Sequence, residues 1–144
     1  MPRHRAPSLA AFACLLSFTA AAHAAEPASV KVSLWDKDGG SGITLSTQTV
    51  KAGAVEFEIK NTSQGTMHEF LMTPWTRPIT ALPYDEKKMQ VQEDKLKQLA
   101  GVEDMKPGAE ATLRLPMRPG HYVVFCNQPG HYKMGMVAAF TVTR

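Results

Sequence analysis

The sequence predicts an all-β fold, an antiparallel β-sandwich with one inserted surface helix. Three observations carry that expectation. Short runs alternate apolar and polar residues, as half-buried strands do. Clusters of Gly, Pro, Asn and Asp punctuate those runs as turns. No part of the order from strand to turn to strand has the spacing of a βαβ unit, which argues for antiparallel pairing.

The first 24 residues are expected to be an export signal. Arg3, His4 and Arg5 make a positive start, Leu9 to Ala22 is apolar, and Ala22-His23-Ala24 offers small residues for cleavage. The apolar run is shorter than the roughly 20 residues that a membrane span needs. Ala11-Phe12-Ala13-Cys14 is a weak candidate for lipoprotein processing, because the apolar run continues past it. Cleavage after Ala24 leaves residues 25–144, enough for one domain and too few for two. The formal charge of +3 falls to about +1 once Arg3 and Arg5 are gone, and no basic cluster with interleaved aromatics remains. Nucleic acid is therefore excluded as a partner class.

The mature chain begins with Val30 to Trp35, which alternates as a strand. Asp36 to Gly42 is turn chemistry, and Ile43 to Val50 holds a second strand. Val55 to Ile59 alternates again and runs into the loop Asn61-Thr62-Ser63-Gln64-Gly65. A further strand is expected from His68 to Met72. The prolines of Pro74 to Pro83 exclude a central strand there. Tyr84 to Ala100 is rich in helix formers, with Met89, Leu96 and Leu99 at helical spacing, and Gly101 suits the helix C-terminus. Residues 74–101 thus read as an inserted loop plus helix, with Trp75 and Arg77 available for a docking surface. Ala111 to Leu115, Tyr122 to Phe125 and Val137 to Val142 complete about seven strands.

Function is concentrated between Gly120 and Met136. Only Cys126 survives removal of the signal, so the mature chain has no internal disulfide. A lone thiol in an exported protein is oxidisable, yet this one lies five positions before His131. Thiolate, imidazole and thioether together suit copper, and a trigonal His2Cys set with a weak axial Met is the blue-copper arrangement. Cys126, His131 and Met136 supply three of the four ligands, with Met134 as the alternative axial residue. His68 is the candidate for the second imidazole. It starts one strand while Cys126 ends another, and two such ends can meet at one pole of an antiparallel sandwich. His121, five residues before Cys126, lies on the opposite face of its strand and is read as structural or exposed. Met67 is placed to pack over the site.

These residues resemble a cupredoxin, the type 1 blue copper domain found in azurin, plastocyanin and related exported proteins. The resemblance rests on His68 at a strand start, on Cys-Asn-Gln-Pro-Gly-His from Cys126 to His131, and on Gly135-Met136 before the last strand. It covers most of the mature chain in strand order, with 74–101 as a poorly matched insertion. It implies a Greek-key sandwich and one mononuclear copper. It also implies a Gln128 backbone amide donating to the Cys126 sulfur, and His131 as the exposed edge for electron exchange. Two departures stand out. An azurin-type loop places its Met one position before Met136 and one after Met134. The family also commonly has Asn after the first ligand His, as a tie between the two ligand loops, where this chain has Glu69.

The expected function is that of an exported, periplasmic carrier of single electrons, monomeric and with a transient redox partner. The alternative is a copper chaperone or buffer that serves a copper acceptor, since Met67, Met134 and Met136 offer thioethers to Cu(I). Catalysis is not expected: the mature chain has no His-x-His pair for further coppers, no Ser/His/Asp set and no Gly-rich phosphate loop.

Overall fold

The computed structural model describes residues 26–144, so the expected signal at 1–24 lies outside the described residues. Eleven strands follow one another: β1 (Ala28–Lys37), β2 (Gly40–Leu45), β3 (Thr49–Lys51), β4 (Gly53–Asn61), β5 (His68–Pro74), β6 (Tyr84–Asp85), β7 (Gln90–Val91), β8 (Ala100–Met105), β9 (Glu110–Met117), β10 (Gly120–Phe125) and β11 (Val137–Thr143). One sheet has the order β2-β1-β4-β9, the facing sheet β3-β11-β10-β5-β8, and β6 pairs with β7 in a small ribbon. Most pairings are antiparallel, as expected. β1 with β4 and β3 with β11 are parallel.

Alternation decides which residues fill the space between the sheets. In β4, Val55, Phe57 and Ile59 point inward and are buried, while Glu58 and Lys60 face out. Phe57 meets Phe70 and Phe140 of the opposite sheet, both with ring centroids at 5.4 Å. Each such fully buried side chain contributes about 1.5–3 kcal/mol through water exclusion. The expected strand over Ile43 to Val50 is two strands, because the chain leaves one sheet after Leu45 and joins the other at Thr49.

β5 departs from simple alternation, with six consecutive buried residues. Phe70 and Met72 enter the main core, while Leu71 enters a second cluster with Leu82, Val91, Val123, Phe125 and Tyr132. Residues 75–99 cover this outer face. The helix expected over Tyr84 to Ala100 is absent. Two short 3-10 turns, Ile79–Ala81 and Glu93–Lys95, are the only helical pieces among the described residues. Met89 and Gln98 have φ of 56° and 51°, which no right-handed helix accommodates. The Asp85 carboxylate accepts from the Lys87 and Lys88 amides at 2.9 and 3.1 Å, an Asx turn that competes with helix formation. Gly101 belongs to β8 and caps no helix. A Cβ there would sit 2.2 Å from the Phe70 carbonyl oxygen, so glycine is what lets β8 approach β5.

Candidate metal centre

His68 opens β5, and the loop before it is shaped by Asn61, the last residue of β4. The buried Asn61 side chain donates to the carbonyls of Thr66 and Met105, both at 2.8 Å. Its Oδ1 accepts from the Ser63 amide at 3.0 Å and the Ser63 hydroxyl at 2.6 Å. Between His68 and Phe70 the pairing with β8 is irregular: two steps on β5 oppose three on β8. At this bulge the Glu69 amide donates to Cys126 Sγ at 3.2 Å.

Cys126 follows the end of β10, which pairs with β5. Its amide donates to the Met136 carbonyl at 3.0 Å, and this bond closes the loop 127–135. Inside the loop the His131 amide returns to the Gln128 carbonyl at 3.0 Å. Pro129 and Gly130, with Gly130 at φ 85°, occupy the centre of that turn as a type II turn requires. The Met136 amide then donates to the His131 carbonyl at 3.0 Å. The sequence thus folds Cys126, His131 and Met136 into one tightly bonded turn.

The three expected donors come together. Cys126 Sγ lies 3.4 Å from His131 Nδ1 and 4.0 Å from His68 Nδ1, and the two Nδ1 atoms are 3.2 Å apart. No other group of three or more potential metal ligands with Cys, His or carboxylate donors occurs among the described residues. Metal bonds of about 2.0 Å to nitrogen and 2.3 Å to sulfur in a trigonal plane give separations of about 3.5 Å between nitrogens and 3.7 Å from sulfur to nitrogen. The two sulfur separations bracket 3.7 Å and the nitrogens lie about 0.3 Å inside 3.5 Å, so the residues fit one mononuclear copper. Met136 is fully buried beside them in the core, whereas Met134 is 59% exposed. His121 is exposed on the other face, its ring nearest the Thr141 hydroxyl, and does not join the cluster. Met67, which precedes His68, is exposed.

Electrostatics favour a neutral pocket without metal. Burial holds the His68 pKa below its ordinary value, helped by His131 and opposed by Asp36. Burial likewise lowers His131. Burial pushes the Cys126 thiol up to about 11, against the amides of Gln128 and Glu69, which donate to the sulfur. Burial thus favours the uncharged forms of both imidazoles and of the thiol. His68 Nε2 is buried and makes no hydrogen bond, so packing fixes that ring where an outer hydrogen bond usually does.

Sequence reasoning missed three supports. The tie between the ligand loops exists in another form: Gln128 Nε2 donates to Glu69 Oε1 at 2.7 Å. Glu69 is nearly buried, and that desolvation raises its pKa while the Gln128 bond lowers it. Asn61 was legible only as a loop residue, although an Asn ending an apolar strand before a Ser is a recognisable side-chain-to-backbone motif. Asn127 is buried beside Cys126, and its side chain's partners lie 34 to 36 residues away, where no local signal reaches.

A cleft of about 790 Å³ runs beside the cluster, with Trp35, Asp36, Thr66, His68, His131 and Met134 among its lining residues. No described helix is long and apolar enough to cross a membrane.

Among solved structures, auracyanin from the photosynthetic bacterium Roseiflexus castenholzii is similar, with 24% identity and a TM-score of 0.61 over 83% of this chain and 99% of that one. Rusticyanin from Thiobacillus ferrooxidans gives 18% identity and a TM-score of 0.62 over 80% and 76%. Auracyanin B gives 19% and 0.58 over 83% and 92%. At these identities the likeness shows the fold. No curated protein sequence matches the chain significantly. The model of copper binding proteins of the plastocyanin/azurin family matches residues 30–143. That match runs from Val30 in β1 to the end of β11 and takes in both sheets and every candidate ligand: the chain belongs to the plastocyanin/azurin family of copper binding proteins.

Proposed function

We propose that this protein is an exported carrier of single electrons, with one type 1 copper that His68, Cys126 and His131 would hold together with the Met136 thioether. The observation that supports it most is the convergence of two Nδ1 atoms and one Sγ at metal-binding separations. When bound, copper supplies a one-electron couple between its two oxidation states. The chain ties Cys126, His131 and Met136 into one bonded turn, so its donors would need to move little on exchange.

Each residue has a separate task. Cys126 supplies the thiolate, and the amides of Glu69 and Gln128 donate to its sulfur and tune its charge. His68 is sealed inside and excludes water. His131 is only half-buried and is the edge through which electrons pass to a transient partner. Burial of Met136 and exposure of Met134 favour Met136 as the axial thioether. The chain acts as a carrier and not as an enzyme, and the signal expected at 1–24 delivers it to the periplasm.

A second reading, copper chaperone or buffer, has one observation in its favour. The three exposed large hydrophobic residues among those described are Met67, Met89 and Met134, all thioethers. Adding Cu(II) to the mature protein separates the readings. An intense thiolate-to-copper band and narrow hyperfine splitting in electron paramagnetic resonance, both lost in Cys126→Ser, are the carrier's signature. A colourless protein that takes up only Cu(I) and passes it to an acceptor is the chaperone.

A further inference from the structure

The segment between β5 and β8 touches the ligand loop in a selective way. Asn127 Oδ1 accepts from the Val91 amide at 2.6 Å, and its Nδ2 donates to the Val91 carbonyl at 3.0 Å and to Glu93 Oε1 at 2.7 Å. The Asn127 carbonyl accepts from Gln90 Nε2 at 2.9 Å. The Gly130 amide donates to the Met89 carbonyl at 2.8 Å. The Tyr132 hydroxyl donates to the Ile79 carbonyl at 2.7 Å and accepts from the Leu82 amide at 3.1 Å. Asn127 is the neighbour of Cys126, and Gly130 and Tyr132 flank His131. Every one of these bonds is made by a residue adjacent to a candidate ligand and none by a ligand itself.

The segment is also a firm base. Its ends are fastened to the sandwich, with the Trp75 amide on the His121 carbonyl at 2.9 Å and the Thr73 hydroxyl on the Lys97 carbonyl at 2.6 Å. Leu82 and Val91 are buried with Tyr132, Phe125 and Leu71 in a core of their own. A buried Asn whose amide group is satisfied on both sides by one strand fixes the backbone beside it, since leaving those groups unpaired is costly.

We propose that residues 75–99 are a brace for the copper centre, and that Asn127 and Tyr132 are positioning residues through which it holds the Cys126 and His131 donors at their separations. The proposal rests on the copper-site reading and goes beyond it, since it assigns a role to a segment that carries no ligand.

The test uses Asn127→Ala and Tyr132→Phe in the mature protein, with Ile59→Val in the main core as a control for stability alone. In the copper-loaded variants the thiolate-to-copper band shifts, the hyperfine splitting widens, and copper passes to a chelator at least tenfold faster than in the wild type. In the metal-free variants the amides of residues 128 and 130–135 exchange hydrogen at least tenfold faster. Ile59→Val lowers the melting temperature and moves none of these. Variants that only melt lower, with wild-type spectra, copper release and exchange, would overturn the proposal. If Asn127→Ala does not fold, Tyr132→Phe, which loses a single hydroxyl, decides alone. A wild type without the thiolate band would sink the copper-site reading, while the metal-free exchange rates would still decide the brace.

Discussion

Substituting Met136 by Leu separates the axial ligand from the core residue. Met136 is fully buried in the main cluster, so truncation to Ala would cost about 2–5 kcal/mol through the cavity alone and would confuse the two roles. Leu nearly conserves volume, and such swaps cost less than about 1.5 kcal/mol. At about 4 °C per kcal/mol for a domain of this size, the metal-free melting temperature falls by less than about 6 °C. The redox effect runs through the lost sulfur. Thioethers as main ligands select Cu(I), but a single weak thioether added to two imidazoles and a thiolate acts as one more electron-pair donor, from which the more highly charged ion gains more, so its removal raises the reduction potential. A differential interaction of about 1.4 kcal/mol corresponds to about 59 mV in a one-electron couple, and a rise of that order is expected. Spectroelectrochemistry of the loaded protein measures it, with Met134→Leu alongside. Met134 is 59% exposed and should change neither stability nor potential. A raised potential in Met134→Leu with none in Met136→Leu would refute the axial assignment, and no change in either would refute a thioether ligand.

Three further outcomes are expected. Gly101→Ala places a Cβ 2.2 Å from the Phe70 carbonyl oxygen, and backbone cannot yield as a side chain can; the cost of about 1–3 kcal/mol or more should lower the metal-free melting temperature by about 4–12 °C, and an unchanged value would contradict the close approach of β8 to β5. A double-mutant cycle with Glu69→Ala and Gln128→Ala in the metal-free protein should give a coupling energy of about 0.5–1.5 kcal/mol, the worth of their 2.7 Å bond, whereas additivity would mean that the tie is idle. Copper uptake should release one proton: both imidazoles are already neutral at pH 7, because burial lowers their pKa values, and the thiol at about 11 is still protonated. Affinity should therefore rise about tenfold per pH unit from 7 towards 11, and calorimetry in buffers of different ionisation heat would detect the absence of that proton.

The sandwich was legible because its strands obey a local rule. Val55, Phe57 and Ile59 alternate with charged neighbours, and nothing elsewhere in the chain is needed to read them. The candidate cluster was legible for a similar reason, since Cys126, His131 and Met136 lie within one short loop and their chemistry is rare. His68 needed only the argument that strand ends meet at a pole. Residues 84–100 were illegible because their conformation is decided from outside. Their helix-forming composition is a weak preference, and it yields to the Asn127 side chain on Val91 and to Leu82 and Val91 packing under Tyr132. The replacement of the usual Asn by Glu69 was visible in the sequence, but its partner Gln128 could be found only once the two loops were side by side.

The candidate ligands are supported in two different ways, and this bears on where the centre can be tuned. β5 and β10 pair directly from Leu71 opposite Phe125, and His68 pairs with Met105 of β8, so His68 and Cys126 stand just beyond the ladder between two central strands. Altering that ladder would disturb the whole core. His131 and Met136 depend on the loop, whose own turns account for their backbone bonds and whose outer side rests on residues 79–93. Substitutions in that outer side change no donor atom and no sheet register. The loop face is thus where the sulfur-to-imidazole geometry can vary without a change of donor or of sheet register, and the segment least readable from sequence is the one placed to vary it.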